Sequence, residues 1–245
     1  MSKCRLCLKE ATLCNSHVIP EFIYEQLNLY DEKHRFNVLS TKSGNHPTFM
    51  QKGIREKLLC KLCEEKLSKW EKYARQSMYG GECIEVITIN PGYFEFQIDY
   101  AKFKLFQLSI LWRVGLSTND AFASVKLGNH EDVLRRMLFE ETPGSAETYG
   151  CVITYSTKHT NITSNTIDCL GMVNFKGILC VGLMLGSCFW LFFLSDVSVD
   201  FPQSELLFQE NGHLRILVNN KDISGYIESL AKDIRNANPA RFDMT

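Results

Sequence analysis

Leu58-Leu59-Cys60-Lys61-Leu62-Cys63-Glu64-Glu65-Lys66-Leu67 decides the fold of this 245-residue chain. Two apolar residues lead into a Cys-x-x-Cys pair. The residues beyond it predict a helix from Lys61 to Met78, with Leu62, Leu67, Trp70 and Tyr73 on one stripe. A second pair, Cys4-Arg5-Leu6-Cys7, opens the chain. Four thiolates in two i, i+3 pairs are the donor set of a tetrahedral zinc ion, with each sulfur about 2.3 Å from the metal. Cys4, Cys7, Cys60 and Cys63 are therefore the expected ligands of a structural Zn²⁺. A knuckle followed by a helix whose first turn supplies two ligands predicts a treble-clef (ββα) arrangement.

Working outward, Pro20 to Tyr30 has the apolar spacing of a helix with Pro near its first turn. Residues 31–53 are polar, carry Gly44, Pro47 and Gly53, and read as an irregular excursion. Gly80-Gly81 closes the long helix and divides a 1–80 zinc-binding module from an 82–245 domain. In that second part, Asn90-Pro91-Gly92 joins two alternating strands into a hairpin, and 101–116 is a helix apolar enough to be central. Residues 129–141 form another helix. Strands are expected at 151–156, 166–174, 178–185, 189–195 and 214–218, with an amphipathic helix over 221–235. Mixed order with hairpins predicts an α+β class.

Composition bounds the function. With 27 Lys+Arg against 28 Asp+Glu, the chain carries no broad basic footprint for nucleic acid. The basic residues of the long helix, Lys61, Lys66, Lys69, Lys72 and Arg75, are the exception and are the candidate nucleic-acid contacts. The six cysteines outside the pairs are scattered through apolar runs, as in a protein of the reducing cytoplasm rather than a disulfide framework. Met1-Ser2-Lys3-Cys4 has no apolar core, so no leader is expected. Residues 178–194 lack charge but are short for a membrane span and contain Gly182 and Gly186; two buried strands are expected, and no membrane partner.

Between the cysteine pairs lies Ser16-His17-Val18-Ile19-Pro20. Together with Cys4-x-x-Cys7 and Leu59-Cys60-x-x-Cys63 at a helix start, this segment resembles the HNH (ββα-metal) endonucleases built on a four-cysteine zinc finger, over about residues 4–75. The resemblance implies that His17 is the general base that activates water against a phosphodiester; an imidazole of pKa about 6.5 suits that task. It also implies a catalytic Mg²⁺ or Mn²⁺ held by the residue before the histidine and the residue after the fourth cysteine, here Ser16 and Glu64. Family members typically place Asp at the first position and Asn or His at the second, so both positions depart from the pattern. Glu64 keeps a hard-oxygen donor; Ser16 offers only a neutral hydroxyl. The orienting asparagine of the middle motif corresponds to Asn37 or Asn45. His46, His34 and Glu56 are further candidate ligands.

Two functions follow as expectations. One is a metal-dependent endonuclease acting on DNA, with RNA as a second candidate, in the setting of phage or mobile-element defence that the resemblance suggests. The alternative is a non-catalytic zinc-finger module that binds nucleic acid or protein. In either case residues 82–245 are a candidate surface for a protein partner or a second copy of the chain.

Overall fold

The computed structural model describes residues 2–26, 30–38, 48–80, 85–156, 166–175, 177–185, 187–194 and 204–219. The zinc region opens with a small ribbon of β1 (Ser2–Lys3) and β2 (Glu10–Ala11) around the first cysteine pair. Next, β3 (Leu13–His17) pairs antiparallel with β6 (Arg55–Cys60), and β6 runs directly into α2 (Lys61–Tyr79). Knuckle, antiparallel strand pair and helix thus stand in the ββα order. A short helix, α1 (Glu21–Gln26), follows β3 and buries Phe22, Ile23 and Tyr24.

α2 turns Cys63, Leu67, Trp70, Tyr73, Ala74 and Ser77 inward at i, i+4, i+7 spacing. Leu62 is not on this stripe. It is 77% exposed, because burying Cys63 toward the other cysteines fixes the helix phase and rotates its neighbour outward.

Residues 31–53, expected to be irregular, contain a strand pair instead: β4 (Arg35–Val38) against β5 (Thr48–Gln51), antiparallel. Together they form one edge of a nine-stranded sheet in the order β5-β4-β10-β11-β12-β9-β13-β8-β7. Its other members are β7 (Glu85–Ile89), β8 (Tyr93–Gln97), β9 (Cys151–Ser156), β10 (Thr166–Phe175), β11 (Ile178–Leu185), β12 (Cys188–Phe193) and β13 (His213–Asn219). Among the described residues only the β4–β10 and β9–β13 pairings are parallel. At the β7–β8 turn, the Asn90 side chain accepts the N–H groups of Gly92 and Tyr93, as an Asx turn requires. Residues 178–194, the uncharged run, are β11 and β12, and no helix among the described residues is long and apolar enough to cross a membrane.

The helix α3 (Tyr100–Leu116) is the hub of this α+β fold. Every residue from Phe103 to Val114 is buried, as expected for a helix packed on all sides. Phe106 meets Trp190 of the sheet at 6.2 Å between ring centroids and Phe22 of α1 at 5.7 Å. The Asp99 side chain caps α3 at the Lys102 N–H, and the Asp99 N–H donates to Tyr73 Oη of α2 at 2.6 Å. α4 (His130–Glu140) packs beside α3 and reaches the zinc knuckle through Arg135, which donates to the Leu6 carbonyl at 3.2 Å. One buried cluster therefore runs from Cys4 to Leu214. The helix expected over 221–235 lies outside the described residues.

Candidate functional site

Cys4 and Cys7 sit on a turn held by Leu8 N–H to Cys4 carbonyl (3.0 Å) and Cys4 N–H to Lys9 carbonyl (2.9 Å). Cys60 occupies the N-cap of α2 in extended conformation, and Cys63 lies in its first turn. The four sulfurs all fall within 4.8 Å of one another, and Cys7 Sγ is 3.9 Å from Cys60 Sγ. A tetrahedron of Zn–S bonds about 2.3 Å long has edges of about 3.8 Å. The cluster can hold a zinc ion.

Electrostatics agree with this. Burial pushes the Cys4 thiol up, but N–H donors from Cys60, Cys7 and Leu6 outweigh it and bring the thiol down to about 7. Burial and then the neighbouring thiols drive Cys63 upward, and burial raises Cys7. A divalent cation is what allows such a buried set to ionise together.

His17 ends β3 with its side chain on the face shared with Arg55, its partner in register. Its Nε2 lies 2.7 Å from Glu21 Oε2. Both atoms are sealed from solvent and meet off the line of an ideal hydrogen bond. The proximity nevertheless makes the pair an acid–base contact. Glu21 Oε1 accepts from Tyr30 Oη at 2.8 Å, and Arg55 Nη2 stands 3.6 Å from Glu21 Oε2 while its Nε donates to the Lys52 carbonyl at 2.8 Å. The side chains of His17, Glu21 and Arg55 are 23%, 31% and 31% exposed, so the cluster lies partly at the surface. Burial first, and then the Arg55 charge, lower the His17 pKa against the opposing pull of Glu21. The lowered pKa favours the neutral imidazole. An Nε2 proton shared with this carboxylate would leave the lone pair on Nδ1.

From behind, Arg113 of α3 holds the His17 backbone. Its Nη1 donates to the His17 carbonyl at 2.9 Å and pairs with Glu71 of α2 at 2.8 Å. Gly53 covers the front. It has φ +69, and a Cβ placed there would lie 3.0 Å from Tyr24 Cε2, 3.1 Å from Glu21 Oε2 and 3.2 Å from His17 Cδ2. Gly53→Ala is expected to cost about 1–2 kcal/mol from the left-handed backbone alone, and to lower any His17-dependent activity further than the loss of folded protein accounts for. Thermal unfolding beside an activity assay at constant folded fraction separates the two effects.

The other candidate residues are placed elsewhere. Ser16 is buried, and its hydroxyl accepts the Leu59 N–H at 3.2 Å. Glu56, opposite Ser16 in register, accepts from Thr118 N–H at 3.0 Å and Thr118 Oγ1 at 3.0 Å and also binds Ser117 Oγ, tying β6 to the end of α3. Glu64 stands on the first turn of α2, at the Leu13–Cys60 end of the strand pair, while His17 stands at the other end. Among the described residues its buried Oε1 has no hydrogen-bond partner, and no hydrogen bond or ion pair joins it to His17. Of the divalent-ion ligands that the resemblance implies, Ser16 is thus engaged by Leu59, and Glu64 stands at the end of the strand pair away from His17. Asn37 lies in β4, paired with Phe49 and Thr166. Asn45 and His46 lie outside the described residues. His34 sits in the turn before β4, its ring 5.5 Å from that of Tyr30.

On α2, Lys66 donates to the Phe139 carbonyl at 2.6 Å and pairs with Glu141 at 3.0 Å. Lys61, Lys69, Lys72 and Arg75 are exposed, and among the described residues none is ion-paired. The sequence reading missed Glu21, Tyr30 and Arg55. Only Glu21 carried a local signal, its i+4 spacing from His17.

No family model, curated protein or solved structure matches the chain. These comparisons add no support to the endonuclease resemblance; what the structure upholds of it is a four-cysteine cluster able to bind zinc at the start of a mixed α+β fold.

Proposed function

We propose that the chain is a nuclease that cleaves phosphodiester bonds with His17 as general base. The observation that carries this reading is the His17–Glu21 contact at 2.7 Å, backed by Tyr30 and flanked by Arg55. Glu21, 2.7 Å from Nε2, favours the tautomer protonated on that nitrogen. Nδ1 then takes a proton from the attacking hydroxyl, and the Arg55 guanidinium offsets the charge that develops on phosphate oxygens. The cysteine cluster fixes the strand pair that presents His17. The described cysteines are all free, which fits a reducing compartment.

The test is a nicking and cleavage assay on single- and double-stranded DNA and RNA, with and without Mg²⁺ or Mn²⁺. His17→Ala and His17→Gln are expected to lower cleavage by about 10²–10⁴-fold with zinc content unchanged; cleavage at the wild-type rate would remove the proposed base. The acid limb of the pH–rate profile is expected below pH 6.5, because the folded His17 pKa is lowered. Glu21→Gln removes an interaction that raises that pKa, so it moves the limb further toward acid.

A second reading rests on a different observation, the exposed residues Lys61, Lys69, Lys72 and Arg75 along α2, none of them ion-paired among the described residues. In that reading the zinc module only binds phosphates. Salt-sensitive binding without cleavage in any divalent metal would favour it over the nuclease.

A further inference from the structure

We infer that the substrate of the His17 site is RNA, cut by attack of its own 2′-hydroxyl. This rests on the reading of His17 as the base, and three observations carry it from there.

The first is the inventory of the site: an imidazole, a carboxylate against one of its nitrogens, a phenol on that carboxylate and a guanidinium 3.6 Å away. The second is where the hard-oxygen donors go. The Ser16 hydroxyl is taken by Leu59, Glu56 by Ser117 and Thr118, and Glu64 stands at the far end of the strand pair. Glu21 has Tyr30 on one oxygen and Arg55 facing the other, so a cation at Glu21 would meet a fixed positive charge. The third is the Arg55 fork. Its Nε is fixed by the Lys52 carbonyl, on the same sheet face as His17, which holds the guanidinium for bidentate contact with a phosphate.

A base and a guanidinium are well matched to a substrate that brings its own nucleophile. An oriented intramolecular hydroxyl acts at effective molarities of about 10⁵–10⁸ M, whereas a DNA strand must recruit water. In the step, His17 Nδ1 takes the 2′-hydroxyl proton and the 2′-oxygen forms a bond to phosphorus. The P–O5′ bond breaks, and the 5′-alkoxide takes a proton from water. The hydroxide left behind recovers the proton held by His17. The products are a 2′,3′-cyclic phosphate and a 5′-hydroxyl, with no net proton change. Arg55 binds the non-bridging oxygens throughout.

The experiment uses the full zinc-loaded chain and one mixed-sequence strand made as RNA, as 2′-O-methyl RNA and as DNA, without added divalent ion and again with Mg²⁺ or Mn²⁺. The expected result is cleavage of the RNA strand alone in both conditions, with 2′,3′-cyclic ends. His17→Gln and Arg55→Ala are expected to lose at least about 100-fold in rate at unchanged zinc content, and Arg55→Lys to recover part of the loss. Cleavage of DNA or of 2′-O-methyl RNA, abolished by His17→Gln, would overturn the RNA assignment and leave His17 as the base. RNA cut to 5′-phosphate ends would overturn the 2′-hydroxyl mechanism. RNA cut equally by the wild type and His17→Gln, or no strand cut at all, would overturn both readings.

Discussion

Cys63→Ser is expected to abolish zinc binding and to lower the thermal midpoint by about 8–16 °C. Cys63 is buried in the first turn of α2, with its sulfur in the four-cysteine cluster. A hydroxyl there removes one of four thiolates and leaves the buried Cys4 and the half-buried Cys7 and Cys60 with no cation to balance them. Structural zinc sites contribute about 10–16 kcal/mol of apparent binding energy in zinc-finger peptides, where metal and fold are one equilibrium. Here the sheet and α3 supply a core of their own, so the loss is smaller; about 4 kcal/mol, at about 2–4 °C per kcal/mol for a chain of this size, gives the stated shift. Metal analysis should read about one zinc per wild-type chain and almost none for the variant. Chelation of the wild type should move its midpoint in the same direction. A variant that keeps its zinc would mean that the other three cysteines suffice.

Arg113→Ala is expected to destabilise the fold by about 3 kcal/mol, the low end of the range seen when one partner of a buried ion pair is removed, because Glu71 is 23% exposed and can be rehydrated. The Arg113 side chain is 2% exposed and bonds Glu71, the His17 carbonyl and the Ser109 carbonyl. Its loss leaves the Glu71 carboxylate without this partner and opens a cavity where the guanidinium was. The double variant Arg113→Met, Glu71→Leu removes both charges and should recover most of the loss, since apolar replacement of a buried pair is often neutral. Urea unfolding of the two single variants and the double variant measures the coupling directly. The single variant should also impair any His17 chemistry, because it frees the strand end on which the imidazole sits.

Much of the fold was legible in local sequence. α2 and α3 declared themselves by apolar spacing, and β9 and β11 by compact apolar runs between turn residues. The cysteine pairs predicted the cluster that the structure assembles. What escaped was long-range. Arg35-Phe36-Asn37-Val38 is too short to signal a strand, and its parallel partner in β10 lies far along the chain. Leu62 misled because helix periodicity alone cannot tell which of two adjacent apolar residues a metal cluster will pull inward. The same limit hid part of the site. His17 was conspicuous, but Arg55 reaches it only through strand register, and Glu21 through the turn of α1 after Pro20.

The β4–β10 pairing has a consequence for synthesis. Asn37 and Val38 pair with Thr166 and Ile167, so the segment enclosed by the cysteine pairs depends on a strand made about a hundred residues after Cys63, a delay of about 5–20 s at ribosomal speed. Throughout that interval the nascent chain can close its cysteine clamp while β4 keeps an open row of backbone donors and acceptors, a template for any neighbouring strand. A fragment ending near residue 80 never receives β10. Its dominant failure would be self-association through that edge rather than misplacement of its cysteines.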